Sequence, residues 1–329
     1  MRKNVQILSN DAFAFAEDRG AGRNVGQVAL ANEERFTAAY YSEPLTTYGL
    51  GWRDPENLQA TLDAIAPLVE TPRRFEYKAT TNAEEFLSES DDVRAIGSSF
   101  KKVEYKGSSV NAKTLNKGLT ITLDKDELVP GKEERTVARL INRGWRNDLR
   151  RTIALIVANA YANTAKAWST ATVAAPQDPD QDVRDQLATA ITLRGLPTNV
   201  AVYSLSAWYA RERAHRANNT AGGFASAAMT PDQVAAALML DKVFVNRSVY
   251  QSTSAAKAAI AGAYVMLYYA AQIPDLDDPS NVKQFWSPTE SGRIRVYREE
   301  HVKTIDITVE RYSVIAIPSA LGILVLTIS

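Results

Sequence analysis

Few residues in this sequence could carry out acid–base or nucleophilic chemistry. The chain has no cysteine and only two histidines, His215 and His301. The lack of cysteine excludes thiolate metal sites, disulfides and cysteine nucleophiles, and histidine is the side chain that most general acid–base chemistry uses. His215 follows Arg211 and Arg213 and is expected at the surface, whereas His301 is expected at a hairpin bend. The sequence therefore predicts no catalytic residue, no metal site and no cofactor.

Two further patterns suggest ligand sites only superficially. Gly20, Gly22 and Gly26 suggest a dinucleotide-binding loop, but their spacing is wrong and no strand precedes them. A calcium loop beginning at Asp275 would need a carboxylate at its twelfth position, which is occupied by Trp286. We interpret the glycines as part of a flexible arm and the aspartates near 275 as a solvated turn.

One charge pattern favours a binding surface instead. Arginines recur at steps of four, four, three and four beside an apolar stripe and form a basic column: Arg135, Arg139, Arg143, Arg146 and Arg150. An acidic run lies upstream: Glu84, Glu85, Glu89, Asp91 and Asp92. We hypothesise that the acidic run of one subunit pairs with the basic column of its neighbour; a solvated basic face is the alternative. Exposed pairs each contribute at most ~1 kcal/mol, so the gain would be specificity.

A long helix over 132–163 must present the basic column. Its apolar residues recur every three or four positions, and Glu133 and Glu134 lie in the first turn, where carboxylates favour the helix dipole. About 30 residues at 1.5 Å each would span roughly 45 Å. Gly144 costs such a helix about 1 kcal/mol.

The acidic run is predicted to lie on a long two-stranded excursion. Residues 75–78, 100–105 and 119–123 alternate between apolar and polar side chains, as strands do, with polar stretches between them. Because an isolated hairpin is marginal in water, we expect a neighbouring molecule to hold it. Upstream, residues 1–45 read as an extended arm and 56–69 as a short amphipathic helix.

The rest of the chain predicts a compact α/β region followed by strands. A helix over 180–194 ends at Gly195, and Thr230 begins a capping box with a proline at the first helical position. Strands are expected at 200–205, 243–250, 263–269, 292–298, 303–317 and 322–328, a helix at 206–216, and a loop at 217–228.

Composition limits the classes of function. The 329 residues carry 38 Lys+Arg and 38 Asp+Glu, so the zero net charge gives no support for nucleic-acid binding as the main role. The apolar segments 258–273 and 312–328 are too short to span a membrane, so buried strands are the preferred interpretation. The N-terminus does not read as a secretory signal.

The order of these elements, together with several short stretches, resembles the major capsid proteins of tailed bacteriophages, which have the Hong Kong 97-type fold. The stretches are Glu133 through Asn163 with Trp168, Gly195–Val200 running into Ser206–Trp208, Thr230–Leu240 followed by Asp241–Val245, and Gly262–Tyr269. The resemblance covers roughly residues 70–329. It implies an α+β fold with an N-arm, an extended β-hairpin loop, a peripheral domain with a long spine helix, and an axial α/β domain.

Mapped by position, the resemblance implies the following organisation: an N-terminal arm at 1–45, a short helical segment at 46–71, an extended loop at 72–118, a peripheral domain at 119–174 and 273–315 with its spine helix at 132–163, and an axial domain at 175–272 and 316–329. Family members use the arm and loop to clasp neighbouring subunits. Some also join subunits through a lysine–asparagine bond, but the many loop lysines are too unspecific to predict one.

The implied function is structural and not enzymatic. The chain is expected to be a major capsid (head) protein that assembles as hexamers and pentamers into an icosahedral shell around phage double-stranded DNA, without sequence specificity. Expected partners are copies of itself, a separate scaffolding protein and a portal protein, with no membrane. The expected location is the virion, with assembly in the host bacterial cytoplasm. An encapsulin-like nanocompartment shell and a soluble α/β hydrolytic enzyme that depends on His215 or His301 remain the alternatives.

Overall fold

The computed structural model describes residues 40–79, 93, 99, 108–251, 256–289 and 292–329. The expected arm therefore lies almost entirely outside the described residues. The same is true of the strand expected at 100–105 and of all five acidic residues of the hypothesised pairing, Glu84, Glu85, Glu89, Asp91 and Asp92.

The described residues form a mixture of helices and strands, which confirms the α+β class. The helices are α1 (Glu43–Gly51), α2 (Leu58–Ile65), α3 (Lys132–Ala158), α4 (Pro179–Arg194), α5 (Leu205–Ala217), α6 (Ala221–Ala227) and α7 (Pro231–Ala237). Short 3₁₀ turns lie at Lys125–Glu127 and Trp168–Thr170. No helix in this part of the chain is both long and apolar enough to cross a membrane.

A first sheet supports the long helix α3. Its strands are β1 (Leu68–Glu70), β4 (Leu115–Asp124), β11 (Lys283–Trp286), β12 (Arg295–Glu300) and β13 (Thr304–Ala316). The order is β1-β11-β13-β12, with β4 also paired to β13, and only the β1–β11 pair is parallel. Alternate β13 residues Ile305, Ile307 and Val309 are buried and share one core with α2 and with the apolar stripe of α3.

A second sheet has both of its faces covered. Its order is β5 (Ala162–Lys166), β14 (Leu324–Ile328), β10 (Tyr264–Tyr268), β6 (Val200–Ser204) and β7 (Lys242–Asn246). Val202 and Met266 face the core that α3 shares, whereas Ala201 and Val265 pack with residues of α4, α5 and α7. Burial on two faces explains why β6 is buried at every position.

Two small antiparallel ribbons complete the described fold. One pairs β2 (Arg74–Ala79) with β3 (Ser108–Lys113), and the other pairs β8 (Val249–Gln251) with β9 (Lys257–Ala259). The apolar segments 258–273 and 312–328 contribute strands β9, β10, β13 and β14, as the sequence predicts.

The long helix is shorter than the predicted 132–163. It ends at Ala158, because Asn159 leaves helical geometry and its Nδ2 donates to the carbonyl of Leu155 at 2.9 Å. From Tyr161, whose N–H donates to Ile323 O at 2.9 Å, the backbone pairs in parallel with β14. Sheet pairing over residues 162–166 thus replaces the last predicted helical turn.

Three further elements differ from the expectations. The predicted loop 217–228 contains α6, which begins where Thr220 Oγ1 accepts the N–H of Gly223 at 3.0 Å. The predicted strand 243–250 is split into β7 and β8, because Asn246 Oδ1 accepts the N–H of Ser248 at 3.0 Å and turns the chain. The helix predicted at 56–69 ends at Ile65, and the chain continues as β1. The proposed domain boundaries stay a prediction.

Candidate functional site

The basic column divides into an exposed half and a half bound within the subunit. Arg135, Arg139 and Arg143 are exposed on α3, opposite its buried apolar stripe. Arg135 folds back towards the start of its own helix, donating to Gly131 O at 2.9 Å and to Pro130 O at 3.2 Å. Within the described part of the chain, Arg139 has no ion-pair or hydrogen-bond partner. The same holds for Arg143, so both guanidinium groups are available to another chain.

A shallow groove runs beside these two arginines. Its volume is about 330 Å³, and its walls are Trp52, Pro55, Ala138, Arg139, Asn142, Arg143 and Arg146. The half-buried Trp52 follows α1, so the groove lies between α3 and the segment that joins α1 to α2. It combines an apolar wall with cationic edges, a surface suited to an extended acidic segment.

The other two arginines of the column tie α3 to its own subunit. Arg146 pairs with Glu56 at 2.7 Å and donates to Val249 O at 2.6 Å. The guanidinium of Arg150 lies 4.0 Å from the ring centroid of Tyr250. Thus the column is continuous along the helix, but only Arg139 and Arg143 face outward without a bond to the described part of their own subunit.

A buried ion centre fastens α3 to the sheet. Asp148 is fully buried, and its Oδ1 accepts from Lys117 on β4 at 2.9 Å and from Arg151 at 3.2 Å. Arg311 on β13 places its Nη2 2.9 Å from the other carboxylate oxygen. That second contact is ionic, because its alignment is too poor for a hydrogen bond. One carboxylate therefore joins three elements.

The charged groups of this centre shift each other's pKa values. Burial alone would raise the pKa of Asp148, but Arg311 and Lys117 overcome it and hold the pKa well below its ordinary value. Burial lowers the pKa of Lys117 to about 8, although Asp148 opposes this shift. Burial also lowers the pKa of Arg311. Asp148 is thus charged at neutral pH, whereas Lys117 loses its proton more readily than an ordinary lysine does.

Gly144 makes room for this centre. The Arg311 guanidinium lies against the helix at Gly144 and donates to the Gly144 carbonyl at 2.6 Å. A Cβ at position 144 would overlap Arg311 Nη1. Gly144 weakens the helix on propensity alone. The close approach of a β13 side chain explains why a glycine occupies this position.

The base of the hairpin β2–β3 has a core within its own subunit. Phe75 and Tyr77 lie 4.6 Å and 5.2 Å from Phe285 of β11, measured between ring centroids. Val69 and Val314 complete this small apolar cluster. The base of the hairpin therefore has support within its own subunit, in addition to the support from a neighbouring molecule that the sequence predicts. The part between 79 and 108 lies largely outside the described residues.

The two histidines occupy different environments. His215 is buried, which makes the expected surface position wrong. Its Nε2 lies 3.2 Å from Asp180, a carboxylate that Arg211 binds through two hydrogen bonds of 2.7 Å. Although burial opposes them, His215 and Arg211 hold the pKa of Asp180 well below its ordinary value. The cluster joins α4 to α5. His301 lies in the bend between β12 and β13, as predicted, with its side chain 40% exposed.

The aspartates near 275 form a turn around a lysine. Lys283 donates to the carbonyls of Asp275 and Leu276 at 2.8 Å each and pairs with Asp278 at 3.0 Å. Lys283 is buried, and burial lowers its pKa against the opposing pull of Asp278. A buried lysine of the same chain thus supplies the positive charge opposite Asp278 and binds the backbone of the turn.

Sequence reasoning missed the ion centre, although a signal for it was present. Asp148 interrupts the apolar stripe of α3 between Trp145 and Leu149, and a charge at a core-facing position requires a buried partner. The partner positions Lys117 and Arg311 are far away in the chain, so the pattern could not name them.

The sequence matches no family model and no curated protein. Solved structures are similar to it. A phage-related protein from Bordetella bronchiseptica is 16% identical, with a TM-score of 0.64 over 87% of this chain and 96% of that one. A cyanophage capsid is 7% identical, with a TM-score of 0.50 over 80% and 86% of the two chains. An encapsulin from Synechococcus elongatus is 10% identical over 94% and 96% of the two chains, with a lower TM-score of 0.45.

Proposed function

We propose that this chain, which has the Hong Kong 97-type fold of phage capsid proteins, is the subunit of an icosahedral shell and serves as the major capsid (head) protein of a tailed bacteriophage. The observation that carries the proposal is the likeness of 87% of the chain to a phage-related protein, with a cyanophage capsid sharing the same architecture. In this role, the large elements of the chain support one another. The helix α3 is locked to a sheet by an apolar stripe and a buried ion centre.

In this proposal, a rigid body presents segments that bind neighbouring copies. The aromatic cluster of Phe75, Tyr77 and Phe285 fixes the base of the hairpin within the subunit. The arm at 1–45 and the loop at 72–118 then clasp adjacent subunits, and hexamers and pentamers form around the axial domain. The domain divisions given above belong to the same proposal.

We assign the proposed charge pairing to particular arginines of the column. The acceptor surface is the exposed part of the basic column, chiefly Arg139 and Arg143 beside the groove. The acidic run from Glu84 to Asp92 of a neighbouring copy supplies the opposite charge. Arg146 and Arg150 are bound within their own subunit and hold α3 in place instead. Because such pairs are exposed, they select the register between copies and add little to stability.

The proposed partners follow from this role. They are further copies of the chain, a separate scaffolding protein, a portal protein and double-stranded DNA held in the shell without sequence specificity. The zero net charge suits a wall that does not bind DNA tightly. The proposed location is the virion, after assembly in the host bacterial cytoplasm.

Sedimentation and gel filtration of the purified full chain test the proposal, alone and co-expressed with a scaffold candidate from the same locus. We expect megadalton particles, and nuclease-protected DNA or a scaffold inside them supports the phage head. Shells with a packaged enzyme instead would favour a nanocompartment. A uniform monomer or dimer under both conditions would reject the shell, and hydrolytic activity lost on changing His215 or His301 would then favour the enzyme.

A charge exchange tests the proposed contact separately. Replacing Arg139 and Arg143 with glutamate should reduce the yield of particles and reverse its salt dependence, because salt screens the repulsion between like charges. Reversing Glu84, Glu85 and Glu89 to lysine in the same chain should restore assembly. The matched control exchanges Arg184, an exposed arginine on α4, for glutamate. Assembly that is unaffected by the column exchange, or is not restored by the reversal, contradicts the pairing.

A further inference from the structure

A histidine and two carboxylates meet at the closed end of the β12–β13 hairpin. Glu299 lies directly opposite Asp306 in the antiparallel register, and His301 is the first residue of the bend. The N–H of His301 donates to Thr304 O at 2.8 Å and closes the turn. His301 Nε2 then lies 3.6 Å from Glu299 Oε1 and 3.5 Å from Asp306 Oδ2.

This arrangement leaves negative charge without a permanent counter-ion. Like charges directly opposite each other in an antiparallel pair are destabilising. Within the described residues, neither Glu299 nor Asp306 has a lysine or arginine within the 4.0 Å that defines an ion pair. The nearby cations Lys125 and Arg298 pair instead with carboxylates of Glu300 and Glu133. In addition, Asp306 Oδ1 is buried without a hydrogen-bond partner in the described part of the chain.

We propose that Glu299, His301 and Asp306 bind a divalent transition-metal ion of the Zn²⁺ type. The three donor atoms lie within 4.8 Å of one another. Bonds of about 2.0–2.2 Å to one Zn²⁺ at tetrahedral or somewhat wider angles separate two donors by roughly 3.3–3.7 Å. The two separations at His301 Nε2 fall in this range. They exceed the ~2.7–2.9 Å of a charged N–H···O bond.

The donor set also selects the kind of metal. An imidazole nitrogen with two carboxylates suits zinc and its neighbours in the first transition series, whereas Ca²⁺ and Mg²⁺ prefer shells made of oxygen. Two carboxylates and a neutral imidazole balance the charge of the ion. Three protein ligands leave a position for water. The bound ion would tie β12 to β13 at the bend and relieve the repulsion between the carboxylates.

Titration of the full chain with Co²⁺ tests the site, because Co²⁺ takes Zn²⁺ positions and has visible d–d absorption. The protein is first treated with a chelator and dialysed. We expect about one Co²⁺ per chain, displaced by Zn²⁺, and a metal-dependent rise in the unfolding temperature. His301→Ala should weaken binding by at least roughly 10–100-fold, the loss that removal of even an outer-sphere partner causes. Glu299→Gln, which alters a second ligand, should also weaken it.

The control is Glu300→Gln, on the same strand but with its carboxylate paired to Lys125 at 2.7 Å. This variant should bind Co²⁺ as the wild type does. Two results would overturn the proposal. One is absent or substoichiometric absorption in the folded wild-type protein, and the other is an unchanged spectrum in both His301→Ala and Glu299→Gln. If the cluster binds no metal, added Co²⁺ or Zn²⁺ will leave the unfolding temperature unchanged.

Discussion

Replacing Asp148 with asparagine is predicted to destabilise the chain far more than removing one of its partners. The substitution keeps the shape of the side chain and removes a fully buried charge. It leaves Lys117, Arg151 and Arg311 facing each other without their shared carboxylate. Breaking a buried ion pair by neutralising one member costs about 3–5 kcal/mol.

The size of the thermal shift follows from the length of the chain. At about 2.1 cal/mol/K per residue, the unfolding entropy of the 329-residue chain is roughly 0.7 kcal/mol/K. A loss of about 3–5 kcal/mol then lowers the unfolding temperature by ~4–7 °C. Because native proteins are stable by only about 5–15 kcal/mol, this is a large part of the total.

The matched variant is Lys117→Met, which removes a cation from the same centre. Asp148 keeps Arg151 and Arg311, and the variant no longer has to bury an ammonium group. We therefore expect a change in the free energy of unfolding of less than about 1 kcal/mol at neutral pH. Burial lowers the pKa of Lys117 from 10.5 to about 8 in the folded chain. Between pH 8 and 10.5, the unfolded chain therefore binds more protons than the folded chain does. The contribution of Lys117 to stability therefore rises with pH across that window and is lost in the variant.

Calorimetry and denaturant titration of the three proteins in one assembly state measure these effects. We expect a large loss of stability for Asp148→Asn and a small change for Lys117→Met. The second variant should also lack the rise in stability above pH 8 that Lys117 causes in the wild type. Equal losses in the two variants, or no loss in Asp148→Asn, would refute the assignment of Asp148 as the centre that holds α3 to the sheet.

Three further predictions concern packing and protonation. Gly144→Ala should destabilise the chain by about 1–3 kcal/mol through overpacking, whereas Gly222→Ala in α6, where an added Cβ meets nothing within 4 Å, should be neutral or stabilising in the same denaturant titration. Phe285→Ala should cost about 3–5 kcal/mol and speed amide exchange in β2 and β3; unchanged exchange there would contradict the anchoring role. Both Asp148 and Asp180 have pKa values held below their unfolded values, so their stabilisation is present above about pH 4 and lost as the pH falls further, which acid titration followed by circular dichroism can measure.

The sequence predicted elements whose signals are local. The apolar stripe located α3, Gly195 marked the end of α4 with a positive φ of 77°, and the capping box at Thr230 is present with both of its hydrogen bonds. Alternation likewise located β4, and the strand predicted at 303–317 corresponds to β13. In each case neighbouring residues carry the information, so no knowledge of the rest of the fold was needed.

The errors arose where distant residues decide the structure. Pairing with β14 ends the long helix at Ala158, and contact with Asp180 buries His215. Gly223 reads as a loop residue, but an added Cβ there would meet the His215 carbonyl, so the glycine allows α6 to approach α5 closely. The basic column was predicted as one surface. Its division into an exposed and a tied half depends on Glu56 and Tyr250, whose positions the helix pattern does not contain.

Cryo-electron microscopy of the largest species formed by the purified full chain, with and without a co-expressed scaffold, tests the central proposal most directly. We expect closed icosahedral shells built of hexamers and pentamers. In these shells, residues 84–92 of one copy should lie against Arg139 and Arg143 of the next. Particles without such symmetry, or a chain that stays monomeric or dimeric under both conditions, would contradict the assignment of this protein as a shell subunit.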